Sequence, residues 1–185
     1  MKFIETPISG LWIIEPKVFE DERGFFMEIY HQEKFRAHGI SETFIQQNHS
    51  RSKRGVLRGL HYQSAPFSQG KLVRVVHGEA FDVCVDIRPG SKTFGKWFGL
   101  SMSAENRKLF YIPPGFAHGF CALTENVDFL YSCTNVYSPR HDSGIAWNDP
   151  DIGIKWPVES PMISAKDMKL PNLCDSPEYH KHTST

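Results

Sequence analysis

The segment KLVRVVHGEAFDVCVDIRPG (71–90) changes character at every step, with Phe81, Val83, Val85 and Ile87 interleaved with Ala80, Asp82, Cys84 and Asp86. A period of two marks a strand. The segment closes on a Pro-Gly turn, and HGEA in its middle reads as a hairpin turn. The same period places Phe44, Gln46, Asn48 and Ser50 on one strand face, Phe129, Tyr131 and Cys133 on another, and His118, Phe120 and Ala122 on a third. Short strands at close spacing, punctuated by Gly and Pro, predict an all-β sandwich or barrel.

Helical patterning is confined to two places. HQEKFRAHGI (31–40) predicts a short helix ending near Gly39, and SAKDMKLPNL (164–173) a second that starts on Ser164 as N-cap and stops before Pro171. There is no internal repeat, linker or low-complexity block. The last ten residues, SPEYHKHTST (176–185), are polar enough to be mobile.

Length and composition add bounds. A chain of 185 residues fits a single domain spanning 1–185 with one core. Lys plus Arg and Asp plus Glu balance at 21 each, so no global field points to nucleic acid or a membrane surface. An anionic ligand would have to be met by a local cluster of cations. The N-terminal stretch interrupts its apolar residues with Glu5 and Pro7, and no later run reaches the roughly 20 apolar residues of a spanning helix. The expectation is a soluble, cytoplasmic protein. Cys84, Cys121, Cys133 and Cys174 are scattered without a CxxC pair, which predicts buried free thiols rather than zinc ligands or disulfides.

Two candidate motifs carry chemistry. In GVLRGLHYQ (55–63), Arg58 and His61 sit inside a run of small and apolar residues, where polar groups cost free energy unless paired. In a regular strand they face opposite ways; serving one pocket requires a bulge, and Gly59 is where a bulge costs least. In YIPPGFAHGF (111–120), the spacing Pro113-x-Gly115-x-x-His118 resembles the second conserved motif of the cupin superfamily. A metal-binding cupin also needs a His-x-His and a carboxylate on an earlier strand, but His61-Tyr62-Gln63 holds that place, so no metal site is expected. His61 could instead act as a general base with Lys71 and Tyr131 nearby. Equally, each could be a core residue satisfied by hydrogen bonds.

Taken together, RGFFMEIY (23–30), FIQQNHSRSKRGVLRGLHYQ (44–63), QGKLVRVVHGEAFDVCVDIRPGSKTFGKW (69–97), YIPPGFAHGF (111–120) and SAKD (164–167) closely resemble the dTDP-4-dehydrorhamnose 3,5-epimerase family. The resemblance runs to about residue 175. It implies a cupin-type double-stranded β-helix, or jelly-roll barrel, with a few short helices. It also implies an isomerase that needs no metal or organic cofactor and converts dTDP-4-dehydro-6-deoxy-D-glucose into dTDP-4-dehydro-L-rhamnose. On this resemblance His61 is the base, Tyr131 the proton donor, Asp167 the partner of the base and Lys71 the cation beside the ketone. Arg23, Glu28, Gln46, Gln47, Asn48, Arg58, His118, Asp142 and Lys166 fall on binding positions, and Tyr137 on the aromatic that stacks with thymine. Asp142 stands where Glu is also seen. The resemblance further implies a homodimer whose N-terminal strands bring Arg23 and Glu28 to the neighbour's site.

Three alternatives stay open at this stage. One is an epimerase acting at C3 or C5 only, on a related dTDP-4-keto-6-deoxy sugar; another is a non-catalytic sugar-nucleotide binder, which could lose His61 or Tyr131. The third, a metal-dependent cupin oxygenase, is opposed by the missing ligands.

Overall fold

A run such as FAHGFCA, with no charged residue on either side, demands a covering layer on both faces of its sheet. The computed structural model, which describes residues 1–184, supplies them. In chain order the elements are β1 (Lys2–Glu5), β2 (Trp12–Glu15), β3 (Val18–Asp21), β4 (Gly24–Met27), helix α1 (Gln32–Arg36), β5 (Gln46–Lys53), β6 (Leu57–Gln63) and β7 (Lys71–His77). They continue with β8 (Glu79–Asp86), β9 (Trp97–Ser103), β10 (Leu109–Ile112), β11 (Phe116–Ala122), β12 (Asn126–Cys133), β13 (Asp142–Gly144) and helix α2 (Pro177–Thr183). Two antiparallel sheets result, one ordered β1-β2-β10-β7-β12-β5 and the other β13-β6-β11-β8-β9, beside a separate β3–β4 hairpin. The chain coils back and forth between the two sheets, which is the cupin-type jelly roll.

Three apolar layers hold it. Between the sheets, Val73, Val75, Phe110 and Phe129 meet Cys84, Met102 and Phe120, with the Phe120 and Phe129 rings stacked at 4.2 Å. Behind the five-stranded sheet, Leu60, Tyr62, Val85 and Ile87 are covered by Ile145, Ile152 and Leu173. Outside the six-stranded sheet, Phe35 and Ile40 cap Ile14, Leu72 and Leu109. Cys84, Cys121 and Cys133 are buried free thiols, and Cys174 is a partly buried one.

The expected hairpin at HGEA does not form. β7 pairs with β10 and β12, β8 pairs with β11 and β9, and Gly78 (φ 74°) turns the chain from one sheet to the other. Local turn chemistry is the same in both cases; pairing is decided by strands far along the chain. The first expected helix is present as α1, followed by Gly39 at φ 79°. The second shrinks to a 3-10 turn over Asp167–Lys169, where Ser164 Oγ accepts the Asp167 N–H at 3.0 Å. Leu170 is extended (ψ 140°), as the residue before Pro171 prefers.

The polar tail, expected to be mobile over 176–185, instead forms α2 over Pro177–Thr183; Thr185 lies outside the described residues. Ser176 caps the helix by accepting the Tyr179 N–H at 3.2 Å, Glu178 is buried, and the Tyr62 hydroxyl donates to Glu178 Oε2. Polarity predicted solvent, but the tail's one buried carboxylate has a phenol waiting on the back of β6. Replacing Tyr62 with Phe leaves Glu178 Oε2 without its donor, so urea unfolding should show a loss of about 1–3 kcal/mol with an unchanged m value. A change below about 0.5 kcal/mol, typical of surface positions, would show that the bond does not hold the helix.

Candidate active site

β6 and β11 do not pair evenly. Arg58 lies opposite Phe120 and His61 opposite His118, with a register shift between them at Gly59. Gly59 adopts φ 133°, and a Cβ there would stand 2.6 Å from Gly119 Cα, so neither the backbone angle nor the space admits a side chain. The irregularity expected at Gly59 is present. It turns Arg58 and His61 into the same cleft, with Tyr62 on the opposite face among the apolar residues behind the sheet.

The cleft has two arms that share His61, Lys71 and Tyr131. One, of about 500 Å³, adds Arg58, His118 and Asp167 and is walled by Leu57, Phe120, Phe129 and Met162. The other, of about 510 Å³, adds Gln46, Asn48, Tyr137, Asp142 and Lys166. These side chains come from strands of both sheets, from the link between β12 and β13 and from the segment after β13, which is why none of the grouping is visible as a local motif.

At the junction, His61 Nε2 lies 2.8 Å from Asp167 Oδ1, while Asp167 Oδ2 accepts the Gly59 N–H at 3.2 Å. Burial pushes the Asp167 carboxyl up, but the hydrogen bond and charge of His61, with the Gly59 N–H, outweigh it and leave the group below the ordinary carboxylate range. An ionised Asp167 thus holds Nε2, and Nδ1 makes no hydrogen bond among the described residues. Lys71 makes no hydrogen bond or ion pair among the described residues, and burial pulls its pKa down against the opposing pull of Cys133, Cys84 and Asp82. Burial raises the Tyr131 phenol, while the Arg58 charge acts the other way.

His118 is buried with its Nε2 2.9 Å from Asp82 Oδ2, and desolvation lowers its pKa despite that carboxylate. Asp82 is a site residue that sequence reasoning missed; the available signal was an acid at an inward position of the FDVCVD alternation. Asp82, Cys84 and His118 offer donor atoms within 4.8 Å of one another. Burial, reinforced by the Asp82 charge, pushes the Cys84 thiol well above its ordinary range.

In the second arm the Tyr137 hydroxyl donates to Asp142 Oδ2 at 2.7 Å, and Lys166 Nζ donates to the same oxygen at 2.5 Å. Gln46 Oε1 accepts the Tyr137 N–H at 2.8 Å, and Gln46 Nε2 donates to Asn48 Oδ1 at 3.2 Å. Arg58 is braced by Ser52 Oγ at 3.0 Å and the Arg51 carbonyl at 3.2 Å.

Three expected residues do not converge within the chain. Gln47 follows the strand alternation to the outer face, where it donates to Ser132 Oγ at 3.3 Å and lines a separate groove. Arg23 pairs with Asp21, and Glu28 with Lys34, on exposed surface away from the cleft.

Comparison with known proteins places this geometry. The family model described as dTDP-4-dehydrorhamnose 3,5-epimerase matches residues 5–175. The dTDP-4-dehydrorhamnose 3,5-epimerase of Shigella flexneri is 53% identical over 177 residues, covering 95% of this chain and 98% of that one. The crystal structure of a Legionella pneumophila dTDP-6-deoxy-D-glucose-3,5-epimerase in complex with dTDP-4-keto-L-rhamnose is 49% identical, with a TM-score of 0.90 over 93% of this chain and 92% of that one. A 3'-monoepimerase from Streptomyces bikiniensis in complex with dTDP-quinovose is 35% identical, with a TM-score of 0.88 over 95% of this chain and 90% of that one. Matched along nearly its whole length in sequence and in fold, the chain belongs to the dTDP-4-dehydrorhamnose 3,5-epimerase family of isomerases.

Proposed function

We propose that the chain acts as one epimerase domain on dTDP-4-dehydro-6-deoxy-D-glucose, inverting C3 and C5 to give dTDP-4-dehydro-L-rhamnose in the cytoplasm. The observation that carries this reading is the junction of the cleft, where a carboxylate-held imidazole, a phenol and an ammonium without an ion pair among the described residues line one space. Both carbons flank the 4-keto group, so loss of either C–H proton sends its electron pair onto the ketone oxygen. His61 Nδ1 takes the proton, and ionised Asp167 stabilises the imidazolium that forms. Lys71 faces the developing oxyanion in a largely desolvated site, where a fixed charge counts for more than in water. The Tyr131 hydroxyl returns a proton to the opposite face, and the centre is inverted. The charge that eases its ionisation, against burial, is that of Arg58. No step calls on a metal or organic cofactor, and dialysis against a chelator is expected to leave kcat unchanged.

Arg58 and Lys166 take the diphosphate, Tyr137 stacks on thymine, and His118, Gln46 and Asn48 complete the contacts. Gln47, Arg23 and Glu28 belong with a second copy of the chain. In support, the β3–β4 hairpin bearing Arg23 exposes Phe19 (53%), Phe25 (56%) and Phe26 (69%), and the groove beside Gln47 is lined by Ile29, Tyr30, Phe44 and Leu130. A second reading, inversion at one carbon only, draws support from the likeness to the 3'-monoepimerase.

His61→Asn and Tyr131→Phe should each lower kcat by about 10²- to 10⁴-fold, with dTDP affinity retained. Wild-type turnover in either variant would remove that residue from the reaction. Lys71 gives opposite signs for activity and stability. Its folded-state pKa is below that of the unfolded chain, so the unfolded state holds the proton more tightly, and stability rises as pH climbs from the folded pKa to about 10.4. The alkaline fall in kcat should therefore begin below the ordinary lysine range, and Lys71→Met should abolish turnover while raising Tm. A fall in Tm would contradict a destabilising lysine.

A further inference from the structure

The inward face of β5 carries a row of polar side chains: Gln46, Asn48, Ser50 and Ser52. Three of them are engaged. Gln46 accepts the Tyr137 N–H and donates to Asn48, Asn48 Nδ2 lies 3.8 Å from Cys133 Sγ, and Ser52 Oγ accepts from Arg58 Nε. The fourth is not: Ser50 Oγ is shielded from solvent yet has no hydrogen-bond partner. Buried hydroxyls are costly to leave unpaired, so an orphan in a cleft points to a missing ligand atom.

Ser50 lines the arm that holds Arg58 and Tyr131. It is one same-face step from Ser52, the residue that braces Arg58. Arg58 spends Nε on Ser52 and one terminal nitrogen on the Arg51 carbonyl, and its other terminal nitrogen makes no bond among the described residues. A free guanidinium N–H and a free hydroxyl lining the same arm suit an anionic oxygen, since donors to charged acceptors form the stronger hydrogen bonds. Serine has a single side-chain torsion and reorients by one staggered step. We infer that Ser50 is a further substrate-binding residue, its hydroxyl donating to a diphosphate oxygen beside Arg58. This rests on the proposal that Arg58 takes the diphosphate.

The test is Ser50→Ala, with calorimetric Kd values for dTDP and for thymidine, steady-state kinetics on dTDP-4-dehydro-6-deoxy-D-glucose, and a thermal melt. The expected result is about 10- to 100-fold weaker dTDP binding with a matching rise in KM. Thymidine affinity and kcat should stay as they are, and Tm should hold or rise because the lost hydroxyl was unpaired. Unchanged dTDP affinity would overturn the inference. So would a fall in kcat at unchanged dTDP affinity, which would place Ser50 beside Tyr131, or a lowered Tm with equal losses for dTDP and thymidine, which would make it structural. If wild-type protein bound dTDP no better than thymidine, the diphosphate reading itself would fall, and Ser50 with it.

Discussion

The site depends on how closely two backbones approach each other. At Gly59 and Gly119 the strands β6 and β11 come so near that a Cβ on the first would stand 2.6 Å from the second's Cα, and a Cβ on Gly119 would stand 2.7 Å from the Arg58 carbonyl oxygen. Because strand side chains alternate, a regular β6 would send Arg58 and His61 to opposite faces. The shift at Gly59 brings both inward and frees the Gly59 N–H from the ladder to bind Asp167, the carboxylate that also holds His61. One irregularity thus turns His61 into the cleft and anchors Asp167 beside it.

Around that point the molecule gathers charge that its composition does not advertise. Lys71, Arg58 and Lys166 line one cleft in a chain whose charges balance at 21 of each sign. Asp167, Asp142 and Asp82 answer them through His61, Lys166 and His118. Among the described residues Lys71 makes no hydrogen bond or ion pair, and its desolvation is a cost that the folded state bears. The buried rings of Phe120 and Phe129 form the apolar wall of the same cleft.

How much of this could be read from sequence follows the range of the forces involved. Period-two alternation is local, so the strands at 46–53, 57–63, 79–86 and 126–133, and the shared face of Phe129, Tyr131 and Cys133, were legible. The break at Gly59 was legible as well, because two polar residues three apart had to share a pocket. What failed was non-local. HGEA crosses between sheets instead of folding back, and the polar tail docks through partners far along the chain, Glu178 on Tyr62 and His182 on the Gly90 N–H and the Phe94 ring. The pairing of His61 with Asp167 spans 106 residues and was reachable only through the resemblance of SAKD to a family motif. Asp82 escaped because an acid in an alternating strand reads as solvent-facing until the barrel is closed around it.

The central claim is that a single imidazole serves both carbons beside one ketone. It is tested most directly by incubating the protein with dTDP-4-dehydro-6-deoxy-D-glucose in heavy water and following the sugar protons by NMR. Deuterium at both C3 and C5, lost together in His61→Asn, is the predicted result. Label at one carbon only would contradict double inversion, and exchange that persisted in His61→Asn would remove His61 as the base.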